Sequence, residues 1–307
     1  MRAGATGAGD TGAEVAGAGV ADHADATDAA VGTGDPAVPA IRWLLGVAAL
    51  LVLLAGVQLF VFPLETSTRF AWTIASPMTA AFLGASYWSA VGLELSGALA
   101  RRWTVARVAV PAVFVFTSLT FVVTLVHLDR FHLAADLPTV TRAVTWAWIA
   151  VYAVVPVLMV LAWLLQARAG RAVPSPAGLP VAVRVTLVAL AAVLVGLGVA
   201  LLVAPEQADA AWPWPLTPLT ARAVGAWCVG LGVAAGHARL VDDAGSLGPV
   251  GVTGVLFGGF QTVALLRFGS ELDWASAAAA GYVVVLTAVT AVGAWLLMAS
   301  RRARTGR

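Results

Sequence analysis

A short residue pattern occurs twice in this chain, and each copy opens a long apolar segment. Residues 77–84 read PMTAAFLG, and residues 218–225 read PLTARAVG, 141 positions later. The segments that precede the two copies also share a proline and a tryptophan nine residues apart. The sequence therefore predicts two copies of one folding unit, arranged in tandem.

The apolar segments are long enough to cross a lipid bilayer. The mean hydropathy is +0.90 and only 11% of the residues are charged, whereas soluble domains carry about a quarter charged residues. A segment of about 20 apolar residues spans the hydrocarbon core, and in lipid it must be helical to satisfy its own backbone. Eight such blocks lie near residues 41–62, 72–99, 105–128, 145–165, 181–204, 220–240, 250–268 and 276–300. The predicted class is an all-α integral membrane protein with eight transmembrane helices.

The two units are predicted to be parallel repeats of four helices each. Because four is an even number, both units have the same orientation and are related by a pseudo-twofold axis along the membrane normal. The predicted domain organisation has a disordered acidic tail, a first repeat, a cytoplasmic linker, a second repeat and a basic tail. These five segments are residues 1–40, 41–166, 167–180, 181–300 and 301–307.

Charge predicts the orientation of the chain. With the N-terminus in the cytoplasm, 13 of the 18 arginines fall on the inner side and five on the outer side, which follows the positive-inside rule. We therefore predict a multi-pass protein of the plasma (cytoplasmic) membrane with both termini in the cytoplasm. Residues 1–40 hold six acidic groups, one arginine and few large apolar residues, a composition that favours disorder.

The repeated outer segments form the first candidate site. Three prolines within residues 213–218 exclude a regular helix there, and Ser76 and Thr217 are predicted to cap the helices that follow. One interpretation is a pair of tryptophan-lined pockets whose helix N-termini favour an anion. The other, which we favour, is an interfacial loop anchored by tryptophan, because tryptophan belts are common at that depth. The candidate residues are Pro63, Trp72, Pro77, Thr79, Gly84, Pro205, Trp212, Trp214, Pro218, Thr220, Arg222 and Gly225.

Small residues follow the motif at helical spacing in both copies. Gly84 and Gly225 lie one turn after the motif alanines, and small residues spaced in this way allow helix backbones to approach closely. We expect the second and sixth helices to pack tightly, on each other at the pseudo-twofold axis.

Two ionisable residues, Glu94 and His237, fall within apolar blocks. An ionisable group inside a membrane segment is a functional candidate, and Glu94 would serve proton coupling with His237 as a relay. The alternative is that Glu94 extends towards the membrane surface and pairs with Arg101, Arg102 or Arg107.

Arg222 also falls within an apolar block, one turn inside the outer end of the sixth helix. We expect its side chain to extend outward, or to pair with Glu206 or Asp209.

Cofactor and metal chemistry have little support in the sequence. A single cysteine excludes an internal disulfide and a cysteine-based metal cluster, and the common phosphate-binding and hydrolase motifs are missing. The cluster His127, Asp129 and His132 contains metal-ligand types. His127 and His132 are five residues apart, however, so a helix does not place them on one face. We predict no cofactor, no metal and no catalytic residue.

Two main function classes and a third, weaker one remain. The first is a non-enzymatic membrane component that binds or assembles with membrane proteins or lipids, which fits the scarcity of polar groups in the apolar blocks. The second is a transporter or channel for a small solute or lipid, which would need polar residues facing a cavity at mid-depth. The third is an intramembrane lipid-modifying enzyme. The predicted partners are the lipid bilayer and a membrane protein or a second copy of the chain, and not nucleic acid.

Overall fold

The computed structural model describes residues 35–170 and 178–305, and this part of the chain is helical without a β-strand. Most of the tail predicted to be disordered, residues 1–34, and most of the predicted linker, residues 171–177, lie outside the described residues. Eight helices in the described part have 17 residues or more. They are α1 (Pro39–Gly56, continued by the π-helical turn Val57–Val61), α2 (Pro77–Leu99), α3 (Val110–Val126), α4 (Thr139–Ala169), α5 (Val181–Val203), α6 (Pro218–Val241), α7 (Gly248–Phe268) and α8 (Ala277–Thr305).

Short helices lie between the long ones. Two α-helical turns, Thr66–Arg69 and Pro205–Ala208, follow α1 and α5, and Trp103–Ala106 precedes α3. Three 3₁₀ turns lie at Leu128–Arg130, Asp209–Ala211 and Gly269–Glu271.

Seven of the helical segments in the described residues are long and apolar enough to cross a membrane. The chain is therefore an all-helical, multi-pass membrane protein, as predicted. Of the eight long helices, α2 is the one outside this set of seven. It has 23 residues but carries Glu94 and several serines, which lower its hydropathy. Fifteen residues of α2 are buried, so other helices rather than lipid surround most of its surface.

Several helices extend beyond the predicted apolar blocks. α1 begins at Pro39, where the proline occupies the first turn. α4 runs from Thr139 to Ala169 rather than from 145 to 165, and α8 continues to Thr305, into the predicted basic tail. Hydropathy detects only the apolar part of a helix, and these helices continue with polar residues at their ends.

The helices fall into a first group, α1–α4, and a second group, α5–α8, with matching neighbours. α1 packs on α2 as α5 packs on α6, and α3 packs on α4 as α7 packs on α8. The groups join through two equivalent pairs, α2 with α7 and α3 with α6. Helices α1 and α4 contact each other much less than these pairs do, and so do α5 and α8.

Glycines set the closest helix crossings. A Cβ atom on Gly84 would lie 2.5 Å from the backbone nitrogen of Phe60, and one on Gly225 would lie 2.7 Å from the carbonyl oxygen of Gly198. The small residues therefore bring α2 against the end of α1, and α6 against α5. The expectation that α2 and α6 pack mainly on each other was wrong, because those glycines face the preceding helix of the same group.

Two equivalent arginines bind the far ends of α2 and α6. The Nε of Arg42 on α1 donates to the carbonyl oxygen of Ala98 at 3.0 Å. The Nε of Arg184 on α5 donates to Asp242 at 3.1 Å, the residue that ends α6 in a left-handed conformation with φ 50°. The backbone N–H of Leu179 and the Arg184 guanidinium lower the pKa of Asp242. Each α1–α2 or α5–α6 pair is thus fixed both at its crossing and at its end.

We expect Gly225→Ala to destabilise the protein by about 1–3 kcal/mol, because the added Cβ collides with backbone that has no room to move. Gly259→Ala is the matched control, since Gly259 is also on a long helix and has no atom within 4 Å of an added Cβ. That variant should be neutral or slightly stabilising, by roughly 0.5–1 kcal/mol. Melting temperatures in detergent compare the two, and equal values would contradict the close crossing.

Candidate functional site

The repeated outer segments fold back onto the helix ends. Trp72 is 3% exposed and its ring lies 4.6 Å from Phe70 and 5.0 Å from Trp148, between centroids. Trp212 and Trp214 are also buried, and their rings lie 5.3 and 5.8 Å from Phe82. These three side chains therefore pack inside the protein, where they close one end of each helix group, and do not face lipid as residues of a tryptophan belt would.

Equivalent backbone bonds hold both segments. The N–H of His132 donates to the carbonyl oxygen of Ala71 at 2.9 Å, and the N–H of Asp273 donates to Pro213 at 3.1 Å. In addition, the indole N–H of Trp214 donates to the Thr79 hydroxyl at 2.9 Å and so connects the second segment to α2.

The predicted helix caps are confirmed. The Ser76 hydroxyl accepts from the N–H of Thr79 at 3.0 Å. The side chains and backbones of Thr217 and Thr220 form a reciprocal capping box, in which the first-turn donors of α6 are satisfied locally. Pro77 and Pro218 each occupy the first turn of their helix.

The N-terminus of α2, which the sequence offered as a possible anion site, binds the carboxylate of Glu271. Glu271, in the turn after α7, accepts from the Ser76 hydroxyl at 2.6 Å and from the N–H of Met78 at 3.0 Å. A carboxylate at this position also complements the helix dipole. The N-terminus of α2 is therefore already occupied, and this contact is another link between the two groups.

Arg222 and Arg267 bind backbone carbonyls at equivalent places. The Nε of Arg222 donates to Leu202 near the end of α5 at 3.0 Å, and Arg267 donates to the carbonyl of Phe60 in the turn that ends α1. Arg222 also contacts the Nε2 of His127 at 2.8 Å. The expected pairing of Arg222 with Glu206 or Asp209 is not observed, because the side chain turns towards α5 and α3.

The side chains of His127, Asp129 and His132 each contact a different partner and do not converge on one point. Burial and the adjacent Arg222 lower the pKa of His127. The ring of His132 bonds to the Phe70 carbonyl at 2.9 Å and to the Thr73 hydroxyl at 3.0 Å, and Asp129 pairs with Arg130. In the described residues, no three histidine, cysteine or acidic side chains are grouped as a metal site would require.

The second helix group encloses an apolar cavity of about 400 Å³. Its walls come from all four helices of the group, and residues 210–213 of the outer segment cover it. The polar atoms among its lining side chains belong to Trp212, Cys228 and Tyr282. The Tyr282 hydroxyl donates to the amide oxygen of Gln261 at 3.1 Å, so that hydroxyl proton is already engaged.

The first helix group encloses a smaller cavity of about 180 Å³, at the position equivalent to the second one. Four aromatic rings that line it form a closed ring of neighbours, with successive centroid distances of 6.0, 6.0, 4.4 and 6.2 Å. They belong to Tyr87, Phe116, Tyr152 and Trp148, in that order. The hydroxyls of Tyr87 and Tyr152 share a hydrogen bond of 2.7 Å.

Glu94 lines the first cavity and is 3% exposed. One of its carboxyl oxygens is buried without a hydrogen-bond partner, and among the described residues no basic nitrogen lies within 4.0 Å of the carboxyl. The expectation that Glu94 reaches Arg101, Arg102 or Arg107 was therefore wrong.

His237, the second ionisable candidate, is half-buried in α6, and its Nε2 likewise has no partner. The structure contains no hydrogen bond between Glu94 and His237, which sequence reasoning had linked as a proton relay.

None of the three tyrosines is among the candidate site residues of the sequence analysis. Gln261 is fully buried, and its amide donates to the Phe82 carbonyl on α2 at 3.0 Å. A signal was present, because the chain has only three tyrosines and each lies well inside a long helix.

The chain matches no protein-family model, and neither the curated proteins nor the solved structures contain a significant match to it. The argument for function therefore depends on the geometry of the two cavities.

Glu271→Ala should destabilise the protein by about 1–2 kcal/mol, because it removes two hydrogen bonds and the charge at the start of α2. Glu206→Ala is the control, since Glu206 is an exposed acid in the equivalent outer segment and should change stability by less than about 0.5 kcal/mol. The comparison uses melting temperatures in detergent. Equal values would show that Glu271 does not hold the two groups together.

Proposed function

We propose that the protein is a non-enzymatic membrane component that binds a lipid in the cavity of its second helix group. The observation that carries this proposal is a volume of about 400 Å³ lined almost entirely by apolar side chains, within the size range of small-molecule sites. An apolar cavity that water does not stabilise favours an apolar occupant, and inside a bilayer the available apolar molecules are acyl and isoprenoid chains.

The packing of the second group supports entry from the bilayer. α5 and α8 touch only lightly, and both contribute cavity walls, through Leu194 and Leu197 on α5 and Val285 and Val289 on α8. A chain that slides between them would exchange one apolar surrounding for another, so little desolvation cost opposes its entry. The cover formed by residues 210–213 would then fix one end of the bound molecule.

We also propose the finer architecture: eight spans, with α2 as the eighth, in two tandem parallel repeats. The burial of α2 supports its place in the membrane, because a helix shielded by other helices tolerates polar residues. The matching helix neighbours, the paired glycine crossings and the paired arginine contacts support the repeat. The arginine distribution supports cytoplasmic termini and a plasma-membrane location.

Assembly with a membrane protein or with a second copy remains part of the proposal. The outer surfaces of α4, α5 and α8 are rich in exposed apolar side chains, which either lipid or another transmembrane helix would cover. We do not extend the proposal to catalysis, because the acid and base groups of residues 127–132 do not converge.

Gly281→Leu tests the lipid proposal. Gly281 lines the second cavity and has no atom within 4 Å of an added Cβ, so the backbone there accepts a side chain, and that of leucine would take up part of the cavity. A fatty acid carrying a photoreactive diazirine should cross-link to peptides of α5 and α8 in the unchanged protein, and at least fivefold less in the variant.

Gly196→Leu is the matched control for this experiment. Gly196 is also open at its Cβ position, is exposed on α5 and does not line the cavity. Cross-linking should be retained in this variant. Equal cross-linking in all three proteins, or none in any of them, would contradict the proposal.

Transport of a small solute is the second candidate, and Cys228 distinguishes it from lipid binding. This thiol is 2% exposed and lines the second cavity, so a bound lipid should shield it from water-soluble reagents. A charged, membrane-impermeant maleimide should react in neither intact cells nor inside-out vesicles. Its rapid reaction from either side, compared with denatured protein, would show a water-filled path and favour the transporter.

A further inference from the structure

We propose that the cavity of the first helix group is a binding site for a lipophilic organic cation, with Glu94 as its counter-ion. The two cavities occupy equivalent positions but differ in chemistry. Where the first has Tyr87 and Glu94 on α2, the residues 141 positions later on α6 are Cys228 and Ala235. This inference concerns the first cavity alone and does not depend on lipid binding in the second.

The carboxyl of Glu94 is the first reason for a cationic ligand. It lies in a cavity whose other lining residues are uncharged and mostly aromatic or aliphatic, and a buried ion without a partner is very costly. In the empty cavity the carboxyl therefore holds its proton. A cation that enters the cavity would supply the missing counter-ion and allow the carboxyl to ionise.

The aromatic ring of Tyr87, Phe116, Tyr152 and Trp148 is the second reason. Aromatic side chains pack well against apolar and aromatic groups, so these rings favour an organic ligand. Tyr87 and Glu94 are seven residues apart on α2, so they share a helix face and are separated by roughly 10 Å along the axis. The rings would cover an apolar or aromatic body while the charge lies towards Glu94.

Other ligand classes fit this cavity less well. An anion would meet a carboxyl and no basic side chain, because no arginine or histidine is among the lining residues. A bare metal ion would need several oxygen ligands, and Glu94 is the one carboxyl in the lining. A neutral molecule would leave the carboxyl without a charged partner.

Binding of a permanent cation is coupled to loss of one proton. The carboxylic acid of Glu94 and the free cation become a carboxylate–cation pair, and the proton passes to water or buffer. The titratable groups that share the cavity are Tyr87 from α2 and Tyr152 from α4, while Gln58 and Thr117 from α1 and α3 are uncharged. Affinity for the cation should therefore rise about tenfold per pH unit while Glu94 is protonated in the free protein.

The experiment compares benzyltrimethylammonium with neopentylbenzene, a neutral molecule of the same shape. Calorimetry of the full-length protein in detergent, in two buffers of different ionisation enthalpy, counts the protons released per bound cation. We expect release of about one proton, and a higher melting temperature with the cation but not with the neutral compound.

Glu94→Gln keeps the size of the side chain and removes its charge. It should weaken binding of the cation at least tenfold and abolish proton release. Ser89→Ala is the control, because Ser89 is another buried polar residue of α2 whose hydroxyl bonds only within its own helix. That variant should bind the cation like the unchanged protein, as should Gly281→Leu, which blocks only the second cavity.

Several results would overturn the proposal. They are no binding of the cation by the unchanged protein, binding that Glu94→Gln does not weaken, or equal binding of the neutral compound. If Glu94→Gln shows no cooperative melting transition, the unchanged protein decides the question through its own pH dependence. Binding without proton release between pH 6 and 8, and without a change in affinity, would then exclude Glu94 as the counter-ion.

Discussion

The close crossing of the first two helices in each group determines where the rest of the molecule has room. At Gly84 and Gly225 the backbones of neighbouring helices nearly touch, so α2 is held against the end of α1, and α6 against α5. The fourth helix of each group then contacts the first helix only lightly. The space that remains between them is the cavity. In the second group α7 and α8 also cross closely, at Gly251 and Gly293, so the open space lies between α5 and α8.

The membrane helices could largely be predicted, because backbone satisfaction in lipid leaves few alternatives to a helix. The surroundings of single side chains could not. Trp72 and Trp214 have the depth of belt residues, but depth along a helix does not show whether a side chain points to lipid or to protein. Glu94 is close to Arg101 in sequence, yet its helix is central and turns the carboxyl into the first cavity. Tyr152 and Tyr87 meet only because α2 and α4 line the same space, a contact across 65 positions that no local pattern encodes.

The two groups also differ in how their ends are satisfied. Arg267 of α7 binds the carbonyl at the end of α1, whereas Arg222 of α6 binds the corresponding carbonyl of α5. Glu271 occupies the start of α2, whereas α6 uses its own threonines. The second group therefore supplies four residues that make polar links to the first: Arg267, Glu271, Trp214 and Gln261. In the opposite direction, His127 of the first group contacts the Arg222 guanidinium of the second, so residues of both groups take part in the contacts that join them.

The difference between the cavities follows from what each can hold without loss of stability. An apolar cavity lowers stability only through the packing contacts that are missing, because it leaves no polar group unpaired. The second cavity is therefore tolerated even when it is empty. The first cavity has a further cost, because the Glu94 carboxyl lacks the hydrogen bonds that it would make in water. A leucine at this position would fill part of the space and remove that cost. The proposed cation would offset that cost by supplying a partner for the carboxyl, while the aromatic rings of the same cavity pack against its apolar body.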